Sequence, residues 1–194
     1  LACCGRRFFR HLRKKGHDMD PITPWFVFAT GAVIGSFLNV CIYRMPRDLS
    51  VVLPRSFCPH CKAMIPWYEN IPLVSYLLLR GKCFRCRRPI ALRYFLVELT
   101  TAGIAWCLWQ RYGLSAEFVA SAIFLAMILV ATLTDFETGL IPDEITIPGM
   151  LLGLALSVTG HGHFSHALWY QNLFSSLAGL LAGGGILLLT GWLG

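Results

Sequence analysis

Ala116-Glu-Phe-Val-Ala-Ser-Ala-Ile-Phe-Leu-Ala-Met-Ile-Leu-Val-Ala-Thr-Leu-Thr134 carries one charge, at its second position, and then runs apolar or small to its end. A stretch of that length reaches across a bilayer core, which takes about 20 helical residues. Four more stretches read the same way: roughly Pro24–Tyr43, Tyr94–Gln110, Ile145–Gly160 and Leu173–Leu193. The whole chain agrees, with 56% hydrophobic and 14% charged residues and a mean hydropathy of +0.60. Soluble domains carry about 25% charged residues, so a water-soluble globular fold is excluded. The fold class is an all-α polytopic membrane protein with about five transmembrane helices.

Charge sets the orientation. Ten of the 17 Lys/Arg lie between Arg44 and Arg93, and basic loops stay on the cytoplasmic side. The loop 44–93 is therefore cytosolic, the first span (within 19–43) runs inward, and the turn Gln110–Ser115 and the segment His161–Asn172 face outward. The net charge of +7 reads as topology, with contact to acidic membrane lipid as a weaker role and no nucleic-acid partner. Residues 1–18 carry six Lys/Arg, which conflicts with an outward N-terminus. They read as an upstream extension ahead of Met19, or alternatively as a basic arm.

The cytosolic loop contains Cys58-Pro-His-Cys61 and Cys83-Phe-Arg-Cys86, two Cys-x-x-Cys pairs with 21 residues between them. Paired knuckles of this kind hold zinc through four thiolates. The reducing cytosol keeps such thiols free of disulfides, and zinc would fold a loop that has little core of its own. Unliganded thiols are the bland alternative.

Four other places carry polar groups where lipid is expected. Gly31 and Gly35 form a small-x-x-x-small helix face, followed by Ser36 and Asn39 on one side of the first span. Asn39 serves either packing between helices or a site. Glu98 lies about a turn inside the second span, where a carboxylate marks function by default; surface snorkelling or a pair with Arg93 competes. Glu69 reads by composition as a solvated surface residue. The stretch Asp135–Glu144 collects four carboxylates in a loop after the third span, with Asp143 as a cap for the fourth helix. Asp135 stands at the junction of lipid and water, where partial withdrawal from water tunes a carboxyl for proton transfer.

Taken in order, Gly35-Ser-Phe-Leu-Asn-Val, Arg44-x-Pro46, the two Cys-x-x-Cys pairs, Glu69-Asn-Ile-Pro72 and Asp135-x-x-x-x-x-Ile-Pro-Asp143 resemble the bacterial prepilin peptidases. These are membrane aspartic proteases of type IV pilus and type II secretion pathways that also act as N-methyltransferases. The resemblance covers about Pro24 to Pro148, and the rest more loosely. It implies cleavage of the basic leader of prepilins or pseudopilins at the cytosolic face of the bacterial inner membrane. It further implies methylation of the new N-terminus from S-adenosylmethionine. Asp135 resembles the first catalytic aspartate, with Asp143 supporting it. Gly35, Ser36, Asn39 and Glu69 resemble positions linked to the methyl-transfer cofactor. The family's second aspartate lies in a Gly-x-Gly-Asp motif that this sequence does not contain. The reading is therefore of a peptidase transmembrane domain, 94–194, that stops short of that motif and is inactive as a protease in this form. A non-enzymatic membrane scaffold with a zinc docking loop, or a transporter using Glu98 and Asp135, is the alternative.

Overall fold

The computed structural model describes residues 22–53, 56–58, 60–139, 141–159 and 174–182. Two units follow one another, Leu1–Ile141 and Pro142–Gly194. In the first unit, α1 (Thr23–Arg44) runs into a 3-10 turn at Met45–Arg47. A long loop follows, carrying a 3-10 turn at Trp67–Asn70 and the short α2 (Val74–Leu78). Then come α3 (Leu92–Tyr112) and α4 (Ala116–Thr138). In the second unit α5 spans Asp143–Thr159, and residues 174–182 are helical.

The core is the pairing of α1 with α3. An added Cβ at Gly31 would stand 2.8 Å from Ala105 Cβ and 2.9 Å from Ala102 Cα, and one at Gly35 2.8 Å from Glu98 Cα. The two backbones approach so closely because these positions carry no side chain. Val27, Ala32, Leu38 and Ile42 of α1 are buried, as are Val97, Thr101 and Ala102 of α3. At the far end from the loop, Trp106 packs edge-on against Trp25 and Trp109, with ring centroids 5.9 and 6.3 Å away. A cluster of tryptophans at a helix end is the signature of a lipid–water boundary.

Thr23–Arg47 and Ala116–Thr138 are the described helices long and apolar enough to cross a membrane. The faces they leave uncovered are oily: Phe26, Val33 and Phe37 on α1, Val119, Phe124 and Ile128 on α4. The expectation of about five spans is thus met in part. At 21 residues α3 is ~31 Å long, yet Arg93, Glu98 and Arg111 make it less apolar. The expected fifth span is described only over 174–182. The segment His161–Asn172 and residues 1–18 lie outside the described residues.

One boundary shifts. The third span was expected to give way to a loop at Asp135, but α4 continues to Thr138. Gly139 stops it in the left-handed region, at φ 68°, with its N–H donating to Asp135 O at 2.7 Å, a glycine C-cap. The other end of α4 is capped by Ser115, whose hydroxyl accepts the Phe118 N–H at 3.3 Å.

Candidate functional site

The loop is organised by two copies of one turn. Phe57 bridges Met64, and Lys82 bridges Pro89, each antiparallel. Inside the first turn, Cys58 N–H donates to Ala63 O (3.0 Å) and Lys62 N–H to Cys58 O (2.9 Å). In the second, Cys83 N–H donates to Arg88 O (2.9 Å) and Arg87 N–H to Cys83 O (3.0 Å). Lys62 and Arg87 hold matching positive φ angles of 56° and 57°. Every partner of the first turn recurs 25 positions later, Cys58 becoming Cys83.

The two turns bring Cys58, Cys61, Cys83 and Cys86 together, with all four Sγ atoms within 4.8 Å of one another and Cys58 Sγ 3.9 Å from Cys86 Sγ. A zinc tetrahedron with bonds of about 2.3 Å has edges of ~3.8 Å between sulfurs. The donor set and its spacing therefore fit a metal ion of that kind after a small closure. None of the four is in a disulfide. Their protonation is uneven. Cys83 is brought down to about 7, first by the Cys86 backbone N–H, then by the Arg85 N–H and the thiols of Cys58 and Cys86, against some burial. At Cys86 the Arg88 backbone N–H favours the thiolate, but burial and the thiols of Cys83, Cys61 and Cys58 outweigh it and push the group up to about 11. The turns are also tied through Arg88 Nη1 and His60 Nδ1, 3.3 Å apart.

Beneath this loop lies a cleft of about 600 Å³, reaching from Cys58 and Cys83 to the α1–α3 pair. Ser36, Asn39 and Glu69 all line it, beside Tyr43, Arg93 and Glu98. Asn39 is 1% exposed. Its Nδ2 donates to Gly35 O (3.3 Å) and to Tyr94 O (3.0 Å). Two carbonyl acceptors fix the amide's orientation, and the opposite atom, Oδ1, is buried with no partner. An orphaned acceptor of this kind in a cleft suits a ligand bearing hydrogen-bond donors. S-adenosylmethionine, with its amino groups, is such a molecule, and the residues present fit it. Gly35 is placed differently from its three companions: it abuts Glu98 and Thr101 of α3 and does not line the cleft.

Glu98 does not pair with Arg93. Its Oε2 accepts the Leu73 backbone N–H at 2.8 Å, while Arg93 forms an ion pair with Glu137. Sequence reasoning passed over Glu137, whose partner lies 44 positions earlier on another helix. Asp135 is exposed in the last turn of α4, and Asp143 is exposed in the first turn of α5, not at its cap position. They belong to different units.

Among the described residues, the fold and site define a helical chain with two helices long and apolar enough to cross a membrane and a four-cysteine loop set over a cleft that Ser36, Asn39 and Glu69 line. Two family models match it in order: the bacterial peptidase A24 N-terminal domain over residues 29–112, and the type IV leader peptidase family over residues 122–194. The chain belongs to this family of type IV leader peptidases. It is 42% identical over 137 residues to a prepilin leader peptidase/N-methyltransferase of Myxococcus xanthus, covering 71% of this chain and 41% of the relative. The protein of the same name from Neisseria gonorrhoeae is 34% identical, covering 74% of this chain and 59% of the relative. That from Klebsiella pneumoniae is 33% identical, covering 81% and 68%. The chain spans about half the length of the first two relatives. No solved structure matches it.

Proposed function

We propose that this chain belongs to a prepilin leader peptidase and N-methyltransferase of a bacterial inner membrane, with its loop 44–93 and its site facing the cytosol. Relatives carrying that name support the class of activity. The observation that carries the methyl-transfer half is Asn39, a fully buried amide whose Oδ1 lacks a partner in a cleft shared with Ser36 and Glu69. S-adenosylmethionine would supply an electrophilic methyl group there. Asn39 Oδ1 and the Glu69 carboxylate would accept its donors, and Gly35 would hold α1 against α3. Zinc on Cys58, Cys61, Cys83 and Cys86 would be structural, since four thiolates leave no open position for chemistry.

The peptidase half rests on Asp135, with Asp143 in support. Hydrolysis by an aspartic pair needs one ionised carboxylate to activate water and one protonated partner to polarise the peptide carbonyl; Asp135 takes one of these places. The acidic stretch Asp135–Glu144 would draw in the basic leader of a prepilin or pseudopilin. Asp135→Asn keeps the size of the side chain and removes its charge. Cleavage of a prepilin with a basic leader should fall at least a hundredfold in membranes carrying the cleavage-competent protein with this substitution, with zinc content unchanged. Cleavage at the unsubstituted rate would remove Asp135 from the reaction and favour a scaffold role.

A further inference from the structure

The stretch Ile71-Pro-Leu-Val-Ser-Tyr-Leu-Leu-Leu79 has no charged residue, though it sits inside the basic loop. Its level relative to α1 is set by contacts with α3. The Leu73 N–H is held by Glu98, and the Tyr76 ring packs on Phe95 with centroids 5.2 Å apart. The same part of α3 is pinned to α1: Glu98 Cα lies against Gly35 and Tyr94 O against Asn39. Asn39 and Gly35 stand five and nine residues before the end of α1 at Arg44, so they lie ~8 and ~14 Å inside it at 1.5 Å per residue. With Arg44 and Arg47 at the headgroups, that level is within the acyl region.

The stretch is also built to do without water. Irregular backbone at membrane depth must satisfy its polar groups within the protein. Leu73 N–H goes to Glu98, Ile71 N–H to Ser75 Oγ (3.0 Å), Ser75 N–H to Ile71 O (3.0 Å), Leu77 N–H to Leu73 O (3.1 Å) and Leu79 N–H to Ser75 O (2.9 Å). Its outward side chains are apolar: Val74 is 48% exposed, Leu77 64% and Leu78 78%. Directly after it come Arg80, Lys82, Arg85, Arg87 and Arg88, all exposed, with no carboxylate between positions 70 and 98. An apolar face followed by a run of cations matches the two layers of an anionic membrane surface.

We propose that residues 71–79 form a wedge inserted into the leaflet at the α1 C-terminal end, with Val74, Leu77 and Leu78 among acyl chains and the basic run at anionic headgroups. The intramembrane carboxylate of Glu98 then has a role as the acceptor that lets this backbone enter lipid. The proposal rests on α1 crossing the bilayer and is independent of any enzymatic activity.

An environment-sensitive fluorescent amino acid is placed singly at Leu78, at Lys62 and at Val33, the last an exposed residue of α1. The full chain is reconstituted in phosphatidylethanolamine–phosphatidylglycerol vesicles containing lipid with a nitroxide on the acyl chain, and bound zinc confirms that each variant's loop is folded. Quenching at Leu78 should match that at Val33 and exceed that at Lys62 several-fold. Quenching at Leu78 no greater than at Lys62, with Val33 quenched, overturns the wedge and leaves the membrane span intact. Blue-shifted emission at Leu78 without quenching means that protein covers the face, whether a second copy or an apolar peptide, and overturns it equally. An unquenched Val33 removes the span on which the wedge depends.

Discussion

Glu98 Oε2 stands 2.8 Å from the backbone nitrogen of Leu73, joining a buried carboxylate of α3 to the loop 25 positions before it. Leu73 needs such an anchor, because it holds a positive φ of 61°, a conformation that β- and γ-branched residues avoid. Glu98→Gln retains an oxygen acceptor, whereas Glu98→Leu leaves the half-buried Leu73 N–H without this partner, a loss of about 1 kcal/mol. Thermal unfolding followed with limited proteolysis at 71–79 should show Glu98→Leu well below Glu98→Gln. Equal behaviour of the two would mean that the hydrogen bond contributes nothing.

The Arg93–Glu137 ion pair joins the first turn of α3 to the last turn of α4, with side chains 21% and 26% exposed. Pairs of this partly open kind contribute up to about 1 kcal/mol. Arg93→Glu should lower the unfolding temperature by several degrees, more at low salt than at high, and the exchange Arg93→Glu/Glu137→Arg should recover most of the loss. Failure of the exchange to recover any stability would assign the effect to the Arg93 stack on Tyr94, 5.0 Å from ring centre.

One zinc ion per chain is expected by metal analysis, and none in Cys58→Ser/Cys83→Ser. Lys62 and Arg87 occupy left-handed backbone, so glycine at either position relieves strain worth about 1 kcal/mol. Lys62→Gly and Arg87→Gly should retain the zinc and release it to a chelator no faster than the parent. Faster release would show that the cations, rather than the backbone, steady the thiolates.

In metal-free protein the two cysteines of the second turn should differ in reactivity. Cys83 sits at about 7 and Cys86 at about 11, on either side of the ordinary thiol value of 9.0. The lowered Cys83 stabilises the folded turn above its unfolded value, a contribution lost as pH falls through about 7. The raised Cys86 stabilises it below its own unfolded value, a contribution lost as pH rises toward about 11. Iodoacetamide labelling mapped by mass spectrometry from pH 6 to 10 should therefore modify Cys83 first. Cys86 reacting first would reverse the assignment.

What the sequence discloses is what depends on near neighbours. The cysteine spacing announces the thiolate cluster because ligand type and interval are both local, and Gly31 with Gly35 announces the α1–α3 contact because four residues make one helical turn. The end of α4 was misread at Asp135, since acidic residues suggest water while helix continuation depends on Gly139 and its cap. For Glu98 the sequence left a functional carboxylate, surface snorkelling and a pair with Arg93, its neighbour on the same helix, all open. Its actual partner is a main-chain N–H, which has no side-chain signature, and Arg93 is taken by a residue on another helix. The common cleft of Ser36, Asn39 and Glu69 could be reached only through family resemblance, because the loop that carries Glu69 folds back over α1 through tertiary contacts.

The repeated turn has a consequence for how the loop acquires its shape. Each copy brings two sulfurs, too few to retain an ion against cellular thiols. Capture of a metal ion would therefore be all-or-none: the second pair would arrive tethered to the first, so its local concentration, rather than its intrinsic affinity, would complete the site. In protein made during zinc starvation the two turns over the cleft would lack the ion that ties them to each other, so metal supply would set how firmly the cleft is covered.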